Sequence, residues 1–401
     1  MQRIRELDGL RTFAIFGVFL THLRPINRPA FDLLNAGWAG VDLFFGISGF
    51  LITSILIGMR GQVAPYKTFY WRRFLRIFPP YYLAVALLLL LVFLHKEQVL
   101  THQGIASFLF LSSVKPHAIS LVFQRLFSHN GFDFAIQPIV NGDYFNQFNA
   151  GFGVFWSLSV EEIFYLLWAP VILMGSRRTV LFWSITPLLI CPILRALAHA
   201  STNFSEGFGF LFRFDAIAGG GCIALLFLAI KNGEIDRRLA GHWLIGAGVI
   251  SLLALGILGW RCGLFRGMEL RSAFSFSVFG YSLLGLLCAS AVGICVNWAG
   301  QTSTPFRLLR SAPLVYLGTI SYVMYLIHIP VNVAVHLAFL RLGGWVAGAD
   351  TLHAAIAILC TITLAGLSWK FFETPILKLK DRQFGARTGR AIQSQVADTS
   401  Q

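Results

Sequence analysis

Arg11 and His22 lie in the first hydrophobic segment of the chain with ten residues between them. A helix turns about 100° per residue, so eleven steps make nearly three whole turns. Both side chains then leave the same face, about 16 Å apart along the axis. A cation near one end of a membrane span and an imidazole near the other would share that face. Ionisable groups inside a bilayer are costly, and as a rule they face a protein interior where they have a task. Imidazole titrates near neutrality and can take a proton from a hydroxyl. Guanidinium stays charged and holds anions. Asp8 lies one turn before Arg11 and can pair with it. Taken alone, the pair is explained equally well by an anchoring arginine and an interfacial histidine, both common at span ends.

Other residues have chemistry at helical spacing. Arg73 and Arg76 share a face if helical, whereas Arg60 and Lys67 read as leaflet anchors. Ser157 and Glu161 are one turn apart, and Glu162 follows. A carboxylate there either orients His22 or binds a hydroxyl, or else bridges to Arg213 or Arg195. Asp42 is a similar candidate in the second hydrophobic segment. Arg213 and Asp215 are too close in sequence to face one another on a helix, so each should pair elsewhere. Ser321, Tyr325 and His328 form one stripe that reads as cavity lining, with aromatic packing as the rival explanation. Gly219, Gly220 and Gly221 lack a following Lys-Ser/Thr, so close helix packing explains them better than a phosphate loop. The six cysteines show no CxxC or metal-ligand spacing, and neither a disulfide framework nor a metal site is indicated.

The elements that must position these residues follow from composition. Of 401 residues, 56% are hydrophobic and 12% charged, and mean hydropathy is +0.69. Soluble domains carry about 25% charged residues, so the chain is an integral membrane protein. A span needs about 20 mostly apolar residues. Spans are expected near 9–26, 38–59, 77–95, 152–175, 179–199, 209–230, 242–259, 273–296, 312–337 and 353–372. Residues 104–114 are apolar but short, which suits a re-entrant or interfacial segment. Arg3 and Arg5 precede the first span without an Ala-x-Ala site after it, so that span should be retained. With the N-terminus inside, twenty-one Lys and Arg fall in inner segments and nine in outer loops, and Arg195 and Arg213 lie within spans. That bias predicts N-in, C-in topology. It also explains the formal charge of +14 without nucleic acid. The expected fold is an all-α polytopic membrane protein: a membrane domain over 1–376 and a polar, disordered cytoplasmic tail over 377–401.

Six segments in order resemble one family. They are Leu-Asp-Gly-Leu-Arg-Thr at 7–12, Gly-Val-Asp-Leu-Phe-Phe-Gly-Ile-Ser-Gly-Phe-Leu-Ile-Thr at 40–53 and Trp-Arg-Arg-Phe-Leu-Arg-Ile-Phe-Pro-Pro-Tyr-Tyr at 71–82. Phe-Trp-Ser-Leu-Ser-Val-Glu-Glu-Ile-Phe-Tyr-Leu at 155–166, Leu-Gly-Thr-Ile-Ser-Tyr-Val-Met-Tyr-Leu-Ile-His-Ile-Pro at 317–330 and Phe-Glu-Thr-Pro at 372–375 complete the set. From about residue 5 to 376 the chain resembles the acyltransferase-3 family of membrane O-acyltransferases. The resemblance implies transfer of an acyl group, commonly acetyl, from cytoplasmic acyl-CoA to an extracytoplasmic glycan or glycolipid, in a bacterial inner membrane. It makes Arg11 and His22 the family's Arg-x10-His pair, with His22 catalytic, and makes Arg73 and Arg76 its Arg-x-x-Arg motif. Gly46 stands where a bulkier residue is usual, and Ile163 where Gln is usual. No hydrolase-like domain follows the last span, which suggests the stand-alone form.

Under that reading Arg73, Arg76 and Arg11 hold the donor's phosphates through paired, charge-assisted hydrogen bonds. His22 acts as base or as a transient acyl carrier. Glu161 and Glu162 support catalysis, and Asp8, Asp42, Ser157, Arg213, Tyr325 and His328 line the substrate path. Acyl-CoA is a co-substrate, and no metal is implied. The partners are membrane lipids, the donor and a glycan acceptor. The competing class is a transporter or flippase of a lipid-linked glycan or acyl donor, for which repeated halves would be expected and are not seen.

Overall fold

The computed structural model describes residues 3–22, 36–94, 154–200, 211–262, 274–341 and 349–379, and these form helices joined by short turns. The helices are α1 (Arg5–His22), α2 (Gly40–Met59), α3 (Pro65–Leu94), α4 (Trp156–Met174), α5 (Arg177–Ala200), α6 (Phe214–Lys231), α7 (Arg237–Arg261), α8 (Tyr281–Asn297), the short α9 (Thr304–Leu309), α10 (Ala312–Arg341) and α11 (Ala349–Ser368). Single π-helical turns precede α8 and follow α11, at Phe276–Gly280 and Trp369–Glu373. The apolar segment 104–114 and the tail from 380 lie outside the described residues. The last helical stretch runs to Leu379, slightly past the expected domain boundary.

Among the described residues nine helices are long and apolar enough to cross a membrane. They correspond to nine of the ten expected spans. The tenth, α1, has 18 residues and begins earlier than expected, at Arg5, so that it includes Glu6, Asp8 and Arg11. Its charges are accommodated by protein. Glu6 accepts from the Gly300 amide at 2.8 Å and from Arg310 at 3.2 Å. Asp8 accepts from Arg3 at 2.7 Å and from Arg11 at 3.2 Å. Acidic side chains in a first turn also favour the helix dipole. The third helix likewise starts well before the expected span, so the arginine-rich segment 72–76 is helical.

Helices α2, α6 and α8 form the interior, while α5, α7 and α11 lie at the periphery with apolar side chains turned outward. On α7, Ile250 and Leu253 are exposed although the helix is almost wholly apolar, the distribution expected against lipid. Asp236 begins α7 by accepting the Arg238 and Leu239 amides at 2.8 and 3.0 Å.

Close backbone approach positions α1 and α2. A Cβ on Gly318 of α10 would lie 1.8 Å from the Asp8 carbonyl oxygen, and one on Gly40 would lie 2.1 Å from that of Ala14. Thr12 of α1 donates to the Leu314 carbonyl at 2.6 Å. On the other side of α2, a Cβ on Gly220 would lie 2.0 Å from the Gly46 oxygen. Small residues let membrane helices approach to backbone contact. The 219–221 glycines are therefore packing residues, as expected.

Candidate active site

A cavity of about 770 Å³, open space at its mouth included, lies between α1, α2, α3, α4 and α10. Arg11, Arg73, Arg76, Glu161 and Glu162 line it. Each helix contributes at the depth its spacing dictates. Arg11 comes from the second turn of α1, held by Asp8. Arg73 and Arg76 are one turn apart on α3. The Arg73 guanidinium sits 4.3 Å above the centre of the Tyr165 ring, and its Nε is buried without a hydrogen-bond partner. Arg76 is exposed. Among the described residues no carboxylate forms an ion pair with either arginine. Both are therefore free to bind an anion entering the cavity.

Glu161 and Glu162 depart from their expected neighbourhood. Glu161 accepts from Ser48 at 3.1 Å and from Tyr165 at 2.5 Å. It neither orients His22 nor bridges to Arg213 or Arg195, because α4 turns it toward α2 and the arginine-lined wall. Glu162 lines the same cavity and also a second, largely apolar one beside α3. Ser48 and Tyr165 were not anticipated. The four-residue step from Glu161 to Tyr165 carried a signal for one of them. Nothing marked Ser48, whose contact crosses 113 positions.

Ser157 and Tyr325 also line the cavity. Their hydroxyls lie 2.7 Å apart, and Tyr325 Oη donates to the Val154 carbonyl at 2.9 Å. One turn further along α10, His328 is fully buried. Its Nδ1 lies 2.7 Å from the Tyr325 carbonyl oxygen and its Nε2 lies 3.1 Å from Nδ1 of His22. The expected Ser321, Tyr325, His328 stripe thus divides. Ser321 and Tyr325 line the cavity, whereas His328 does not and instead reaches His22, which is exposed.

Asp42 and Arg213 do not line the cavity, contrary to expectation. Asp42 is completely buried and pairs with Arg213 at 2.5 Å. The Arg213 guanidinium lies 4.1 Å above the Tyr281 ring. Asp215 pairs with Arg195 at 2.9 Å and accepts from Ser282 at 2.9 Å. So Arg213 and Asp215 do pair elsewhere, as their spacing required. Four buried charges in two pairs tie α2, α5, α6 and α8 together. Asp8 likewise supports Arg11 and is not a wall residue. Among the described residues no three His, Cys, Asp or Glu side chains are placed to share a metal ion.

An acyltransferase domain of the acyltransferase-3 type matches residues 4–370. The chain belongs to the acyltransferase-3 family. Acyltransferase-3 relatives include the O-acetyltransferase OatA of Staphylococcus aureus (strain NCTC 8325 / PS 47), 28% identical over 386 residues, which cover 93% of this chain and 57% of the relative. Peptidoglycan O-acetyltransferase OatA of Listeria monocytogenes serovar 1/2a is 25% identical over 392 residues, covering 94% and 56%. The putative peptidoglycan O-acetyltransferase YrhL of Bacillus subtilis is 27% identical over 400 residues, covering 96% and 56%. The chain thus spans little more than half the length of these acyltransferase-3 relatives. No solved structure gives a significant match.

Proposed function

We propose that this protein transfers an acetyl or similar short acyl group from acyl-CoA to a glycan hydroxyl, with peptidoglycan, the acceptor named for two relatives, as the leading candidate. The donor enters at the arginine-lined end of the cavity, from the cytoplasm. Its phosphates meet Arg73, Arg76 and Arg11, and its thioester arm extends along the α1 face toward His22. The acceptor approaches His22 from the opposite side of the membrane. The nine apolar helices among the described residues, taken with α1, support a reading of ten crossings, and the excess of basic residues in alternate segments favours both termini in the cytoplasm.

The chemistry requires little beyond these groups. His22 takes the proton of the acceptor hydroxyl as its oxygen attacks the thioester carbonyl carbon. The tetrahedral intermediate expels the CoA thiolate, forming the ester, and the proton passes from His22 to the sulfur. One observation carries the reading. Arg11 and Tyr325 line one cavity, and the Tyr325 backbone carbonyl holds the histidine hydrogen-bonded to His22. This chain of contacts supports reading Arg11 and His22 as parts of one site.

The test uses the protein in lipid nanodiscs with isotope-labelled acetyl-CoA and peptidoglycan fragments. His22→Ala should lower ester formation at least a hundredfold while insertion and donor affinity persist. A well-folded His22→Ala protein with near-normal turnover would remove the assignment. Labelled donor that is never consumed by the unaltered protein would favour the transporter reading.

A further inference from the structure

His328 is buried beside the Phe19, Tyr325 and His22 rings, with centroids 5.8, 5.7 and 5.1 Å away. Its two nitrogens face different partners, and their chemistry sets the direction of both hydrogen bonds. A carbonyl oxygen can only accept, so the 2.7 Å contact to the Tyr325 carbonyl places a proton on His328 Nδ1. Among the described residues no carboxylate contacts His328, and a buried charge without a partner is strongly disfavoured. His328 is therefore neutral, and its Nε2 carries a lone pair. That lone pair lies 3.1 Å from His22 Nδ1, so His22 must donate from Nδ1. Neutral His22 then carries its own lone pair on Nε2.

We infer that His328 is a positioning residue that sets the tautomer and ring orientation of His22, so that Nε2 of His22 is the basic atom. The inference rests on His22 being the base proposed above and adds which nitrogen reacts and what holds it. The arrangement parallels the way a buried acceptor on Nδ1 orients a catalytic histidine in hydrolase triads, with a neutral imidazole replacing the carboxylate. When His22 Nε2 receives the acceptor proton, the Nδ1–H bond to His328 strengthens because its donor is then charged. The proton goes no further. His328 Nδ1 already carries a hydrogen committed to a carbonyl, so the pair orients and stabilises but does not conduct.

The main measurement is the nitrogen NMR spectrum of the ¹⁵N-histidine-labelled protein in nanodiscs, with His22 assigned by its loss in His22→Ala. The expected spectrum shows a protonated Nδ1 and an unprotonated Nε2 on His22. The opposite tautomer in the unaltered protein would overturn the inference, whether or not any variant folds. Kinetics provide the second arm. His328→Phe keeps a ring but removes the acceptor, and kcat should fall at least a hundredfold with little change in KM for acetyl-CoA. His328→Gln places a carbonyl oxygen near the lost Nε2 and should recover at least tenfold of that loss. A merely space-filling residue would give the reverse order. Folded His328→Phe with near-normal kcat, while His22→Ala is inactive, sinks this inference and leaves His22 as base. Activity retained in His22→Ala sinks the base assignment itself.

Discussion

Arg73 illustrates how one side chain combines two kinds of interaction. Its guanidinium rests on Tyr165, and among the described residues no carboxylate forms an ion pair with it. Losing a charge-assisted contact to phosphate costs about 1.5–3 kcal/mol, roughly ten- to over a hundredfold in affinity. Arg73→Ala and Arg76→Ala should each weaken acetyl-CoA binding by that order in isothermal titration. Lysine at 73 should recover only part, because it lacks the planar fork and the stacking. Tyr165→Phe should keep donor affinity within about threefold, since the ring remains. Tyr165→Leu should lose about threefold or more, following the 0.5–2 kcal/mol typical of cation–π contacts. Equal effects of Phe and Leu would show that the hydroxyl bond to Glu161 matters and the stacking does not.

At the scale of helices, the glycine contacts make opposite predictions for two neighbours in space. Gly220→Ala drives a Cβ to within 2.0 Å of the Gly46 carbonyl oxygen, so α2 and α6 must separate. Overpacking of that kind costs about 1–3 kcal/mol, and the melting temperature in detergent should fall by several degrees. Gly46→Ala meets nothing nearer than 3.6 Å and should be tolerated. The buried pairs between α2, α5, α6 and α8 behave differently from packing. Asp42→Asn leaves Arg213 charged without its partner and should destabilise by about 3–5 kcal/mol. Replacing Asp42 by Leu and Arg213 by Met together should recover part of that loss, because the cost lies in the unpaired charge. A double replacement as damaging as the single one would show that the pair's geometry, rather than its charge, holds the helices.

For the whole molecule the sharpest prediction concerns topology. Reporter fusions after residue 379 should be active only in the cytoplasm, and insertions within 124–150 only outside it. A C-terminal reporter active only outside would require either an odd number of crossings or an inverted chain, and inversion would move the arginine cavity to the wrong side for a cytoplasmic donor.

The helical architecture was legible in the chain because membrane helices are specified locally. Each needs its own apolar length and satisfies its own backbone hydrogen bonds. Nine of the ten expected spans recur as apolar helices, and the Arg11 to His22 geometry follows from helical periodicity alone. The starts of α1 and α3 were not legible, since hydropathy hides a charged turn that protein partners neutralise, as they do for Glu6 and Asp8. Nor did spacing reveal where Glu161 would turn. Helical periodicity assigns a residue to a face of its own helix but not to a neighbour, and Glu161 meets Ser48 across 113 positions. His22 and His328 meet across 306. Tertiary packing alone brought those two rings together, because backbone contact at Gly318 and Gly40 sets the depth and rotation of α1 against its partners. The residue types and their periodicity determined what chemistry the chain could do. The helix crossings decided which imidazole faces which.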